Sequence, residues 1–237
     1  MITRGTHIII VAMVTVTMAL LAACGNDGKY EIKGEHVVYS YWTFSFGPLS
    51  DTLPEADPAT FVSVNRWLGH DNSHAYYKNK LIPDVDVESF EAVRYPLSRD
   101  KHDYYYESTP LHVSDVESFK TLRWFEHDFW AVDSRYAYFD TVRVDGVDLS
   151  TFELLDMPIA RDKSHVYSLG KVIPLADPST FEVIGNSLYY RDRAHIWCGD
   201  ELMEDVDYAT FEVDGISKAH DKYGSFSWEK RDSVEAE

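Results

Sequence analysis

The chain has 237 residues, with 22 lysines and arginines against 40 aspartates and glutamates, which gives a formal net charge of −18 at neutral pH. This charge repels a phosphate backbone, so nucleic acid is excluded as a partner, whereas a basic protein or divalent cations would be attracted. Hydrophobic residues make up 45% of the chain and include 16 Tyr, 12 Phe and 6 Trp, enough for a substantial core.

The first residues have the anatomy of an export signal, with Arg4 followed by an apolar run from Ile8 to Leu21. This run is shorter than the about 20 residues that a membrane-spanning helix needs. Leu21-Ala22-Ala23-Cys24 then resembles the bacterial lipobox. The resemblance implies a cleaved signal peptide over residues 1–23, acylation of Cys24, for example by palmitate, and a membrane anchor. The alternative is an ordinary signal peptide with a cysteine near its end by chance.

Lipidation of Cys24 would place the protein in the bacterial cell envelope. Gly25 follows the cysteine at the position where an Asp would favour retention in the inner membrane, so the sequence favours the outer membrane. The only other cysteine, Cys198, would then have no partner for a disulfide and is predicted to be a small buried residue.

Two sequence blocks alternate along the chain. In the first block, an Asp stands four residues before a Phe that follows Ser or Thr. The six phenylalanines are Phe61, Phe90, Phe119, Phe152, Phe181 and Phe211, and the six aspartates are Asp57, Asp86, Asp115, Asp148, Asp177 and Asp207. In the second block, an Asp stands five residues before an aromatic residue, as in Asp162-Lys163-Ser164-His165-Val166-Tyr167. Six copies of both blocks indicate a tandem repeat.

Each block predicts a local structure. In Asp57-Pro58 and Asp177-Pro178, an N-cap residue precedes a proline, which predicts a short helical turn with the following Phe in the core. The second block predicts a hairpin, because aromatic and β-branched residues flank a polar turn that begins with Asp. The predicted fold is mainly β with short helical turns. It is a tandem repeat array, solenoid-like or an extended β-meander, of about six units of 29–33 residues.

The second block resembles the repeat after which the DKNYY family of bacterial proteins is named, and Asp177-Pro178-Ser179-Thr180-Phe181-Glu182 is similar to that family's other recurrent element. Asp103, Trp197 and the final block Tyr223-Gly224-Ser225-Phe226 depart from the pattern. The resemblance implies an extracytoplasmic repeat protein of uncharacterised function, and it supplies no catalytic residues. The predicted organisation is a tether over 24–33, a degenerate capping segment over 34–50, repeats over 51–228 and a polar tail over 229–237.

No compact catalytic motif is present in the sequence, so no catalytic residues, cofactor or metal site are predicted. His74, His165 and His195 share one repeat position and are interpreted as turn or packing residues rather than metal ligands. Asp148 and Asp207 are interpreted as caps rather than calcium ligands. Among the 40 acidic residues, no pair stands out as the two carboxylates of a glycoside hydrolase.

Two aromatic segments lie outside the repeat consensus, Tyr41–Phe46 and an insertion in the third repeat. The insertion supplies the predicted binding residues Trp124, Phe125, Phe129 and Trp130. Such a cluster is either a hydrophobic anchor for a partner or a local core under a loop.

The leading functional hypothesis is a membrane-anchored, non-enzymatic interaction module. One version is an immunity-type lipoprotein that neutralises a basic toxin through electrostatically steered binding. The alternatives are an envelope hydrolase acting on glycans, which a pocket holding two acids outside the repeat pattern would favour, and a structural component of the envelope.

Overall fold

The computed structural model describes residues 28–53, 55–125 and 128–232, apart from the side chain of Phe125. The chain divides into two compact units, here called unit 1 (residues up to Pro110) and unit 2 (residues from Leu111). Within the described ranges, no helix is long and apolar enough to cross a membrane.

The described part of unit 1 forms three antiparallel sheets. The first sheet contains β1 (Lys29–Lys33), β2 (His36–Thr43) and β3 (Gly47–Leu53). The second contains β4 (Val62–Ser63), β5 (Leu68–His70), β6 (Ala75–Tyr77) and β7 (Lys80–Ile82). The third contains β8 (Glu91–Arg94), β9 (Leu97–Arg99), β10 (Tyr104–Tyr106) and β11 (Thr109–Pro110).

The described part of unit 2 forms four antiparallel sheets of four strands each. They contain β12 (Lys120–Phe125), β13 (Asp128–Val132), β14 (Ala137–Phe139) and β15 (Val142–Val144); β16 (Glu153–Asp156), β17 (Ile159–Arg161), β18 (Val166–Ser168) and β19 (Lys171–Val172); β20 (Glu182–Val183), β21 (Tyr189–Arg191), β22 (Ile196–Cys198) and β23 (Glu201–Leu202); and β24 (Glu212–Gly215), β25 (Lys218–Asp221), β26 (Gly224–Ser227) and β27 (Lys230–Arg231).

Every sheet is a meander in which each strand pairs with its neighbour in the chain. In each four-stranded sheet, the turn between the second and third strands therefore lies at one end, and the other two turns lie at the opposite end. The first end always carries the second sequence block, for example Asp162–His165 between β17 and β18. The predicted hairpin is therefore confirmed, and every four-stranded sheet has two chemically different ends.

The core lies between successive sheets within each unit. One cluster joins Ile159 and Val166 of one sheet to Phe181 and Trp197 of the next. Four further clusters likewise combine residues of two neighbouring sheets. A sheet of such short strands has little apolar surface of its own, so each one is stabilised by its neighbour. This arrangement confirms a mainly β repeat array.

The repeated phenylalanines are the common element of these clusters. Phe61 and Phe152 are half-buried, and the other four are buried. In five repeats the Phe ring lies 5.6–6.4 Å, centroid to centroid, from the aromatic ring of the second block. In the second repeat, Phe90 and Tyr105 share one cluster. Full burial of a Phe side chain contributes about 2 kcal/mol, and these contacts confirm the predicted core role of this position.

Four details differ from the sequence prediction. Only the turn at Tyr208–Thr210 forms a helix, a 3₁₀ helix, whereas the other Phe-containing blocks form isolated turns. The predicted tether is wrong for residues 29–33, which form β1 and pair with β2. The predicted boundary at residue 51 falls inside β3. The predicted polar tail is wrong for Lys230–Arg231, which form β27. Short strands with charged residues give little sequence signal, which explains the last error and the missed β1.

Candidate functional site

In each four-stranded sheet, one end carries residues that recur in every repeat, and the other end carries residues that differ from repeat to repeat. The consensus end is defined by the turn aspartates, Asp71, Asp100, Asp133, Asp162, Asp192 and Asp221, and by the residues that bind them. The variable edge is the opposite end, where the remaining turns lie. It contains residues 64–67, 78–79, 95–96 and 107–108 in unit 1. In unit 2 it contains residues 140–141, 157–158, 169–170, 184–188, 199–200, 216–217 and 228–229.

The turn aspartates are only 1–5% exposed and are among the few buried charged residues. In Asp162, Oδ1 accepts the backbone N–H groups of Ser164 and His165, each at 2.7 Å. Its Oδ2 accepts the backbone N–H of Asp148 and the hydroxyl of Tyr167, each at 2.9 Å. One carboxylate therefore closes the hairpin turn and ties it to the preceding block.

The same arrangement recurs along the chain. In five repeats, the N–H of the first-block Asp donates to the turn aspartate at 2.7–2.9 Å. In the third repeat, Ser114 donates this bond at 2.8 Å. In four repeats, the Lys or Arg directly after the turn aspartate forms an ion pair with the first-block Asp, as in the pair Lys163–Asp148 at 2.6 Å. The consensus residues thus have structural roles.

These contacts keep the turn aspartates ionised. Burial opposes ionisation of Asp133, but hydrogen bonds from Tyr138, Ser114 and two turn N–H groups outweigh it and lower its pKa to about 2. The pKa values of the other five are lowered as well. A buried carboxylate that accepts several N–H and O–H bonds is stabilised in its charged form.

The repeated histidines lie beside these aspartates. Nδ1 of His74, His165 and His195 is 3.3–3.9 Å from Oδ1 of its own turn aspartate. Each histidine therefore belongs to a separate turn, as their interpretation as turn residues requires. Within the described part of the chain, no group of three or more His, Cys, Asp or Glu side chains is placed to hold a metal ion.

Cys198 is buried, as predicted, and burial raises its pKa to about 11.

In unit 1 the variable edge is aromatic. A pocket of about 240 Å³ is lined by Trp67, Tyr77 and Tyr95 together with aliphatic residues. The rings of Trp67 and Tyr95 stack at 4.7 Å, and the Tyr77 hydroxyl donates to Glu107 at 3.1 Å. The guanidinium of Arg66 lies 5.0 Å from the Trp67 ring centroid. The aromatic rings pack against one another and leave one apolar face at the pocket.

In unit 2 the variable edge forms an acidic cleft of about 330 Å³. Asp128 and Asp156 line it, with Pro158, Tyr190 and Ile216 among the apolar residues. Arg123 is 3.6 Å from Asp156 at the solvent-exposed side. None of the cleft residues belongs to the repeat consensus. In the sequence, these turns could therefore be recognised only because they depart from the repeat consensus.

A third carboxylate adjoins the cleft. Asp140 accepts the N–H of Phe129 at 2.8 Å and hydrogen-bonds Asp128. Burial, followed by the negative charge of Asp128, raises the pKa of Asp140 to about 6 against the effect of the Phe129 bond. Neighbouring carboxylates without enough cationic compensation repel one another, and this is a common property of functional sites.

The aromatic insertion supports this cleft from within. Phe129 and Trp130 are 0% exposed, so their prediction as a surface anchor is wrong, and the local-core alternative holds for both. The half-buried Trp124 stacks on Phe129 at 4.5 Å. The Trp130 indole N–H donates to the Pro158 carbonyl at 2.9 Å and fixes one wall of the cleft. The Phe125 side chain and Cys24 lie outside the described residues.

Stacked four-stranded meanders, each closed by a buried turn aspartate, define a tandem β-sheet repeat protein. The chain belongs to the DKNYY family, whose model matches residues 8–109, 111–201 and 160–233. Neither the curated proteins nor the solved structures contain a significant match to the chain.

Proposed function

We propose that the protein is a lipid-anchored, extracytoplasmic interaction module that binds a basic protein through the acidic cleft of unit 2. The anchor is inferred from Leu21–Cys24, which lies outside the described residues. A cysteine carrying acyl chains would hold the folded sheets at a membrane surface, with the outer membrane favoured. In its most specific form, the proposal is an immunity-type protein whose partner is a basic toxin that it neutralises.

The proposal rests on the acidic cleft. Asp128 and Asp156 face a cavity of about 330 Å³, at the small end of the range for ligand sites and suited to a single Arg or Lys side chain. Asp128 repels the neighbouring Asp140, and this repulsion adds to the effect of burial in raising the pKa of Asp140 to about 6. A cationic side chain in the cleft would remove this repulsion.

The charge of unit 2 as a whole supports the same partner. Residues 111–237 contain 13 basic and 26 acidic residues, a net charge of −13, whereas residues 28–110 contain 8 and 13, a net charge of −5. A field of this sign increases the association rate of a basic protein and is screened by salt.

A fluorescent hexa-arginine peptide is a suitable first probe. Asp128→Asn with Asp156→Asn should weaken its binding about tenfold at low salt, because both carboxylates of the cleft are lost. Glu201→Gln with Glu204→Gln is the matched control, since it removes the same charge from exposed positions elsewhere in unit 2. Equal losses in both double variants would show general attraction without a role for the cleft.

The cleft also supports a second candidate, an envelope hydrolase acting on glycans. Asp140, protonated up to about pH 6, would be the general acid, and Asp156, which lines the cleft, would be the second carboxylate; both lie outside the repeat consensus. Release of soluble fragments from purified cell-wall glycan by the wild type, and its loss in Asp140→Asn, would favour this candidate. Hydrolysis by both proteins would exclude Asp140 as its acid.

A further inference from the structure

The first sheet ends in an exposed aromatic hairpin tip, defined here as Trp42, Phe44 and Phe46. Phe44 is 88% exposed, Phe46 is 79% exposed and Trp42 is 39% exposed. The rings of Trp42 and Phe44 meet edge to face at 6.3 Å and form one apolar surface. A cluster of large, exposed apolar side chains is typical of a surface that binds a membrane or an apolar surface of another protein.

The hairpin extends beyond its neighbour. The turn of the second sheet lies beside Asp51, where Asn79 Nδ2 donates to Asp51 Oδ2 at 2.7 Å. Beyond the pair Tyr39–Asp51, strands β2 and β3 continue through four more residue pairs, about 13 Å at the usual rise per residue. The aromatic tip therefore projects past the variable edge of unit 1.

The strand register brings the start of the folded chain to the same end of the sheet. Strand β1 is antiparallel to β2, and Lys29 pairs with Ser40, four residues before Phe44. Cys24 is five residues before Lys29, which limits their separation to about 18 Å even in a fully extended chain. An acylated Cys24 would thus reach the bilayer on the side to which the tip projects.

The charges of this region suit a lipid surface. Residues 40–50 carry no charged side chain, although the protein as a whole is strongly acidic. At the variable edge of unit 1, the two bases Arg66 and Lys78 outnumber the single acid Glu107. Aromatic residues with neighbouring basic residues are typical of the membrane–water interface.

We propose that the aromatic hairpin tip inserts into the bilayer beside the lipid anchor and orients the variable edge of unit 1 towards the membrane. This inference rests on the proposed lipid anchor and adds a second, protein-based contact. A lipid chain alone permits free rotation of the domain, whereas an inserted tip fixes which face meets the bilayer.

The test uses the mature acylated protein in phosphatidylethanolamine–phosphatidylglycerol vesicles with acyl chains brominated near the headgroup. Flotation with the vesicles reports the anchor, and quenching of tryptophan fluorescence reports insertion. The wild-type emission minus that of Trp42→Phe isolates Trp42. We expect this difference emission to be quenched, and the quenching to be at least halved by Phe44→Ser with Phe46→Ser, which changes only exposed side chains.

The matched control is Val62→Ser with Leu81→Ser, which also removes exposed apolar side chains from unit 1 but away from the tip. It should leave the quenching of Trp42 unchanged. Flotation without quenching of Trp42 would overturn the tip proposal and leave the anchor intact, as would quenching that is insensitive to the Phe44 and Phe46 changes. Shielding of Trp42 only after addition of an envelope protein would assign the tip to a protein partner instead. Failure to float would overturn the anchor and the tip proposal with it.

Discussion

The two ends of each sheet contain similar residue types but use them in opposite ways. At the consensus end, a carboxylate such as Asp162 is buried, fully hydrogen-bonded and held in its charged form. At the variable edge of unit 2, Asp140 is a carboxylate whose ionisation burial and repulsion oppose. The comparison indicates that the residues recurring in every repeat stabilise the fold, and that function should be sought where the repeats differ.

The largest expected effect is at the consensus end. Asp162→Ala leaves three backbone N–H groups and the Tyr167 hydroxyl without their acceptor, and we expect a loss of about 3–5 kcal/mol in the free energy of unfolding. Urea unfolding followed by circular dichroism measures it. Asp145→Ala, which removes an exposed acid of unit 2, should change stability by less than about 0.5 kcal/mol. Similar losses in the two variants would contradict the distinction between the ends.

The second prediction concerns the stability of the protein at acidic pH. The pKa of Asp133 is lowered to about 2 in the folded protein, so its stabilising contribution of about 2 kcal/mol is present above about pH 4 and is lost as the pH falls towards 2. The free energy of unfolding should therefore decrease over this range. Asp133→Asn should unfold more easily at neutral pH and show a shallower decrease in acid. A pH dependence equal to that of the wild type would show that this carboxylate is not responsible.

A smaller difference in stability is expected between substitutions of two tyrosines, Tyr76 and Tyr138, that occupy the same repeat position. The Tyr138 hydroxyl donates to Asp133 at 2.6 Å, so Tyr138→Phe should cost about 1–2 kcal/mol. The Tyr76 hydroxyl is buried without a hydrogen-bond partner in the described structure, so Tyr76→Phe should be neutral or stabilising by up to about 1 kcal/mol. Thermal unfolding of both variants measures the difference, and equal destabilisation would be inconsistent with these contacts.

The smallest effect has the opposite sign and lies at the variable edge. Because the pKa of Asp140 is raised to about 6, the folded state binds more protons than the unfolded state between about pH 4 and 6, and stability falls as the pH rises through this range. Asp140→Asn retains an acceptor for the Phe129 N–H and suits the positive φ of 50°. It should stabilise the protein by about 1 kcal/mol at neutral pH, an advantage that disappears below about pH 4. A constant difference across this range would assign the gain to another cause.

Much of the repeat architecture follows from the sequence, since the alternation of the two blocks predicts hairpins and the recurrent Phe predicts a core position. The burial of the turn aspartates does not follow, because the bond from Asp148 N–H to Asp162 joins residues 14 apart whose proximity depends on the folded chain. The acidic cleft was missed for a related reason, since Asp128, Asp156 and Ile216 come from three different sheets. The aromatic insertion allowed two interpretations, and only the burial of Phe129 and Trp130 in the folded chain distinguishes them.

The pairing of every strand with its immediate neighbour also bears on how the protein forms and changes. Contacts that are short in sequence close quickly, so each meander can assemble as soon as its own residues are free to fold, before later segments arrive. A whole repeat can also be duplicated or deleted without rerouting any other strand. A lineage that needs a longer or shorter molecule can therefore obtain one by recombination within the gene, provided that the two terminal sheets are kept.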